Sequence, residues 1–357
     1  MMRRIRAGLL VLFLSPTLSL YSQSSGRTPL PAAPVNPHSS AEARALLNYL
    51  YSISGKYTLA GQHNYPYHIA RWTDRVYDLT GKYPALYGQD FGFSGGEDKD
   101  STAARPVLIA EAKRQYENGA VVTLTWHAVR PTDDEPVTFR DSVQGHLTDF
   151  EWSELLTPGT ELYKRWCDQV DVVAGFLKRL QSAHVPVLFR PYHEMNGGWF
   201  WWGAKEPEKF IAVWRHMFDY FSKTKGLDNL LWVYGPNHGQ NTAKYYAGDR
   251  YVDIVGLDAY TDFVDRQHIK GYEEVAALPK PFGFTEYGPH GPQNPPGNYD
   301  YRRFIEGLEK EFPKTCFFMC WNAKWSLATN ENTRELLGHP SVANREDLPA
   351  KLFKASQ

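Results

Sequence analysis

Residues 185–203 read VPVLFRPYHEMNGGWFWWG. The first ten, VPVLFRPYHE, form a short apolar run that stops on a polar pair, His193 and Glu194. Gly197 and Gly198 follow and relax the backbone, and then comes the aromatic cluster Trp199, Phe200, Trp201 and Trp202. An apolar run of this length bounded by such punctuation predicts a buried strand with chemistry at its C-terminal end.

Seven more runs of the same character lie on either side. The eight candidates are Thr58 to His63, Ala85 to Asp90, Val121 to His127, Val185 to Glu194, Leu230 to Pro236, Val252 to Tyr260, Phe282 to Tyr287 and Cys316 to Trp321. Between them sit segments with apolar residues at helical spacing: Arg105 to Asn118, Glu161 to Ala183, Pro207 to Ser222 and Tyr299 to Glu311. Alternating strands and helices predict a parallel sheet, and eight strands close it into a (β/α)8 TIM barrel. The competing architecture, an open doubly wound sheet, calls for a glycine-rich phosphate fingerprint after the first strand, and none is present.

What ends each run points to function. Gln62 with His63, Gln89 with Asp90, Trp126 with His127, His193 with Glu194, Asn237 with His238, Asp258 with Tyr260, Glu286 with Tyr287 and Trp321 with Asn322 all follow apolar stretches. In a barrel these positions converge on the rim where active sites of this fold are built. Two carboxylates stand out, Glu194 closing the fourth run and Glu286 closing PFGFTE in the seventh. Acetal hydrolysis with retention needs such a pair, about 5–5.5 Å apart, one donating a proton to the departing oxygen and one attacking the anomeric carbon.

The motif RPYHEMNGGWFWWG closely resembles the acid/base motif of glycoside hydrolase family 26, best known for its β-mannanases. The resemblance extends over about Gly55 to Leu348. It implies Glu194 as acid/base, preceded by His193, and Glu286, ending FGFTE, as nucleophile. It also implies substrate contacts from His127 at the end of TWH, from Trp199 five residues beyond the acid and from Tyr260 ending VDIVGLDAY, together with a sugar platform at Trp321. Asn322 and the long stretch from Pro131 to Pro158 have no clear counterpart, which leaves substrate preference open.

The roles also follow from physical chemistry. Glu194 beside a second carboxylate and aromatic rings is expected to hold its proton, whereas Tyr260 and the cationic Arg190 would keep Glu286 ionised. Adjacent residues of a regular strand point to opposite faces, so for His193 and Glu194 to share the site a local irregularity of the backbone is expected there; a regular strand would put His193 behind the site. No H-E-x-x-H or similarly close ligand spacing occurs, and no metal or other cofactor is expected.

Composition agrees with a neutral polysaccharide or oligosaccharide as the partner. Aromatic residues make up 15% of the 357-residue chain, and sugars are recognised by stacking on such rings. The net charge of −1, with no basic stripe, argues against nucleic acid. Arg3, Arg4 and Arg6 ahead of the apolar Leu9 to Leu14 predict an export signal over 1–25, too short and too interrupted by Pro16 for a membrane span, and hence a secreted or periplasmic protein. Residues 26–40, with Pro29, Pro31, Pro34 and Pro37, are expected to be a tether, and 41–357 one catalytic domain acting as a monomer. Cys167, Cys316 and Cys320 are too few for a disulfide framework, and the last two, four residues apart on one strand, cannot bridge.

The leading expectation is thus a retaining glycoside hydrolase whose resemblance implies endo-acting cleavage of β-1,4-mannan. Mixed-linkage β-glucan, β-1,3-xylan or exo-acting release of disaccharides stay open, as does a non-catalytic carbohydrate-binding barrel that keeps the platform without the chemistry.

Overall fold

Strand residues of this chain are buried on both faces almost without exception, which is why their sequences run apolar instead of alternating. In the computed structural model, which describes residues 33–93, 99–203, 205–289 and 297–353, they form eight parallel strands. These are β1 (Thr58–His63), β2 (Leu86–Asp90), β3 (Val121–Trp126), β4 (Val187–Pro191), β5 (Leu230–Tyr234), β6 (Ile254–Tyr260), β7 (Phe282–Gly288) and β8 (Thr315–Cys320). Each pairs with the next, and β8 pairs back onto β1, closing the (β/α)8 barrel. A two-residue β9, Val342–Ala343, pairs with the first two residues of β1.

Helices cover the outside of the ring. The longest, Glu161–Ser182, buries Leu162, Trp166, Val170, Val173, Ala174, Leu177 and Leu180, a stripe at helical spacing, and starts where the Thr160 hydroxyl accepts from the Tyr163 N–H. Arg105–Glu117, Pro207–Asp219 and Tyr301–Glu311 fill three more crossovers. Among the described elements no α-helix connects β5 to β6, and β6 to β7 is served by the short Tyr272–Ala276.

The barrel interior at the N-terminal ends of the strands is sealed by the helix Ala41–Ile53. Its Leu46, Leu47, Leu50 and Ile53 pack with Leu59, Leu86, Val121, Leu188, Leu231 and Ile254. Full burial of each such side chain stabilises the fold by about 1.5–3 kcal/mol. The opposite end is left to polar groups.

Two expectations are refined. Regular pairing of β4 ends at Pro191, three residues before Glu194, because Tyr192 and Glu194 adopt left-handed backbone angles, φ 45° and 52°. Residues 33–40, expected as tether, are docked: the Val35 N–H donates to Asp253 (2.7 Å), and the Asn36 side chain donates to the carbonyl of Leu227 (3.0 Å). Proline content sets the backbone angles of that segment, but Asp253, which also accepts from the Trp232 N–H (2.8 Å), supplies the anchor. Residues 1–25, where the export signal was expected, lie outside the described residues. No described helix is long and apolar enough to cross a membrane.

Candidate active site

The polar rim is organised around the irregular turn that follows β4. Because Tyr192 and Glu194 both take left-handed angles, the strict alternation of a strand is broken, and His193 and Glu194 both come to the side of the barrel where Glu286 lies. The turn is pinned by its backbone: the Glu194 N–H donates to the Gly235 carbonyl (2.8 Å) and the Gly197 N–H to that of Glu194 (2.9 Å). The Trp202 indole donates to the His193 carbonyl (2.7 Å). Gly197 is needed for space and not for an unusual angle, since a Cβ there would stand 2.3 Å from the Trp199 ring. That close approach lets the Trp199 indole N–H reach Glu194 Oε2 (2.7 Å) while 38% of the residue stays exposed. Burial, and after it the charge of Glu286, pushes the Glu194 carboxyl up to about 7, against the opposing pull of the Trp199 N–H.

Glu286 sits in the opposite kind of setting, inside β7 and 4% exposed. The pairing of β7 slips on both sides, between Leu257 and Asp258 on β6 and between Phe284 and Tyr287 against β8, so Asp258 comes level with Glu286. Arg190, buried in β4, donates through one nitrogen to Asp258 Oδ2 (2.6 Å) and through the other to Glu286 Oε1. The Tyr260 hydroxyl donates to Glu286 Oε2 (2.6 Å), so each oxygen of Glu286 has its own donor. Gly235 leaves room for this arrangement, because a Cβ there would lie 2.9 Å from Thr285 Oγ1 and 3.2 Å from Arg190 Cδ. Burial opposes the charge on Arg190, yet Asp258 and Glu286 more than offset it and hold the guanidinium charged. Thr285 completes the set, its hydroxyl donating to Asp258 Oδ1 (2.5 Å).

A line of imidazoles approaches Glu286 from β3. Asp90 Oδ2 lies 2.5 Å from His127 Nδ1, His127 Nε2 lies 3.0 Å from His193 Nε2, and that nitrogen is 3.7 Å from Glu286 Oε1. Burial works against a charge on His127, but the neighbouring Asp90 outweighs it and raises the pKa. Burial, and after it the Arg190 cation, push the His193 pKa well below the ordinary value, so of the two imidazoles His127 is the one that more readily takes a second proton. Trp321, 8% exposed, lies flat on His63, with ring centres 3.7 Å apart and planes 15° from parallel. His63 is kept neutral by burial, its pKa lowered to about 3, and its Nδ1 is bonded to the Asn322 side chain (2.9 Å).

All eight residues singled out in the sequence therefore gather at one rim. Asp90, Asp258, His63 and Asn322 belong to the same network without having been assigned a role. Their signal was available, since each ends a strand run, but only the fold reveals which neighbour it touches. His193, Asp258 and Glu286 offer ligand atoms within 4.8 Å of one another, the one such group among the described residues. The guanidinium of Arg190, bonded to both carboxylates, already supplies positive charge there.

Known proteins match this chain in sequence and fold. The sequence profile of Glycosyl hydrolase family 26 matches residues 35–347. The mannan endo-1,4-beta-mannosidase of Bacillus subtilis (strain 168) is 31% identical over 369 aligned residues, covering 98% of this chain and 97% of its own. Among solved structures, GH26A from a Muricauda species superimposes with a TM-score of 0.76 at 34% identity, over 88% of this chain and 99% of that one. The beta-mannanase from a symbiotic protist of the termite Reticulitermes speratus, solved with gluco-manno-oligosaccharide, superimposes with a TM-score of 0.71 at 25% identity, over 89% of this chain and 97% of its own.

Proposed function

This chain belongs to glycosyl hydrolase family 26, and from that premise we propose that it is an exported, retaining mannan endo-1,4-β-mannosidase with Glu194 as acid/base and Glu286 as nucleophile. The observation that carries the proposal is the contrast between the two carboxyl groups. One is pushed up to about 7, while the other receives a separate donor on each oxygen. A barrel that only bound sugar would have no use for two carboxyl groups held in such different surroundings.

The steps balance on these residues alone. With a mannan chain in the cleft, Glu286 attacks the anomeric carbon as the glycosidic C–O bond breaks, and the Glu194 proton passes to the departing oxygen. A glycosyl ester on Glu286 and a shortened chain result. Glu194, now a carboxylate, takes a proton from water; the oxygen so activated attacks the anomeric carbon, the ester C–O bond breaks, and both carboxyls return to their starting states. Arg190 and Tyr260 hold Glu286 in place with a donor on each oxygen, His127 and His193 line the place of the attacked sugar, and Trp321, backed by His63, is a flat apolar floor for a pyranose ring.

The test is hydrolysis of mannohexaose, followed by NMR of the newly formed reducing end, beside mixed-linkage glucan and β-1,3-xylan oligosaccharides. The β-anomer forming first, from internal bonds, is expected. First formation of the α-anomer would overturn retention, products only of disaccharide size would overturn endo action, and turnover confined to glucan or xylan would overturn the substrate.

A further inference from the structure

The turn that carries Glu194 is energetically unusual. Two residues with side chains, Tyr192 and Glu194, hold left-handed angles within three positions, a conformation that persists only where the surroundings enforce it. The backbone bonds from Glu194 to Gly235 and from Gly197 to Glu194 fix the middle of the turn. A second tie to the barrel is called for farther along, because beyond Pro191 the turn no longer belongs to the sheet and only the Glu194 bond to Gly235, next to β5, holds its backbone there.

Asn196 does this with its side chain. Its Oδ1 accepts from the backbone N–H of Asn237 (2.9 Å), and its Nδ2 donates to the backbone carbonyls of Asn237 (2.8 Å) and Gln240 (3.1 Å). One carboxamide thus grips both polar groups of one residue in the loop after β5, as a strand neighbour would. The Asn237 end of this grip leads directly to the other carboxylate. Asn237 is bridged in parallel to Asp258 of β6, with the Asp258 N–H donating to the Pro236 carbonyl (2.9 Å) and the His238 N–H to that of Asp258 (2.9 Å). Asp258 holds Arg190, and Arg190 holds Glu286.

We infer that Asn196 is a positioning residue that sets the reach of Glu194 toward the glycosidic oxygen, by locking the acid's turn to the same β5–β6 scaffold that orients Glu286. The inference rests on the roles proposed above. It predicts a selective defect: without the clasp, Glu286 still attacks, but the proton arrives from the wrong place. Displacement of about 1 Å is enough to cost roughly 10²-fold in such a transfer.

The experiment compares kcat/KM of wild type, Asn196→Ala and Glu194→Ala on mannohexaose and on a dinitrophenyl β-mannobioside, whose leaving group departs without a proton. Asn196→Ala is expected to lose about 10²-fold on mannohexaose and less than about 3-fold on the dinitrophenyl substrate, with Glu194→Ala showing the same selectivity more strongly. The basic limb of its pH profile should also shift, since the carboxyl sits in altered surroundings. If Asn196→Ala loses both activities equally, or neither, while Glu194→Ala is selective, the clasp has no positioning role and the inference fails. If Glu194→Ala is itself unselective, the acid assignment fails instead. Should Asn196→Ala not fold, Asn196→Asp, which keeps an acceptor for the Asn237 N–H but loses the two donated bonds, is judged by the same ratios.

Discussion

Glu194 and Glu286 are the same residue type a few side chains apart, and the structure treats them in opposite ways. Glu286 stands within a strand, nearly sealed from solvent, with an arginine on one oxygen and a tyrosine on the other. Glu194 stands on a left-handed turn outside the sheet, half-covered by aromatic rings, with one indole N–H as its side-chain donor. Strand geometry suits a group that must stay ionised and aimed, since neighbouring strands bring donors at fixed distances. A turn suits a group that must give up a proton and take it back, because few fixed donors face it and its pKa is free to rise.

The contrast is broken most severely by removing the nucleophile. Glu286→Ala is expected to lower kcat on mannohexaose by about 10⁵-fold, the scale seen when a covalent nucleophile is deleted, and a loss below 10²-fold would return the chain to the class of binding barrels. Glu194→Ala comes next, at about 10³-fold on mannohexaose, with the dinitrophenyl substrate far less affected; rate measurements on both decide it.

Arg190→Met tests the strand side through stability. It leaves Asp258 and Glu286 buried without their shared cation, and denaturant unfolding at neutral pH should reveal a loss of about 3–5 kcal/mol. Arg190→Lys, which keeps the charge but loses the two-pronged contact, should lose less, and equal losses for the two variants would mean that Arg190 matters only by packing.

The smallest effect sharpens the turn side. Glu194 binds its proton more tightly folded, at about 7, than unfolded, near 4.3, so its contribution to stability is complete below about 4.3 and is lost as pH rises through 7. Glu194→Gln, which cannot ionise and can still accept from Trp199, should therefore be more stable than wild type at pH 8 by on the order of 1–2 kcal/mol, and no more stable at pH 4. Equal differences at the two pH values would refute the raised pKa.

Much of this was legible in the chain. Eight apolar runs separated by helical stripes specify a barrel because a strand covered on both faces and a helix covered on one leave different periods in a sequence. The carboxylates and their companions were legible for a related reason: a polar residue that ends an apolar run has few explanations other than a rim. The misplaced features have a common cause as well. In the Val185 to Glu194 run Pro191 marks where pairing could stop, but an earlier proline, Pro186, precedes the strand, and nothing local says that Tyr192 and Glu194 would turn left-handed. The prolines before residue 40 describe backbone angles, not the Asp253 carboxylate waiting 218 positions away.

By itself, then, the order of residues determined the barrel and the end at which polar groups would collect, since both follow from short-range pattern. Only tertiary structure decided that the Glu194 turn would be tied to Gly235, that Glu286 would share an arginine with Asp258, and that Asn196 would clasp a neighbouring loop. These depend on distances between segments 40 to 100 residues apart in the chain, about which a local sequence pattern carries no information.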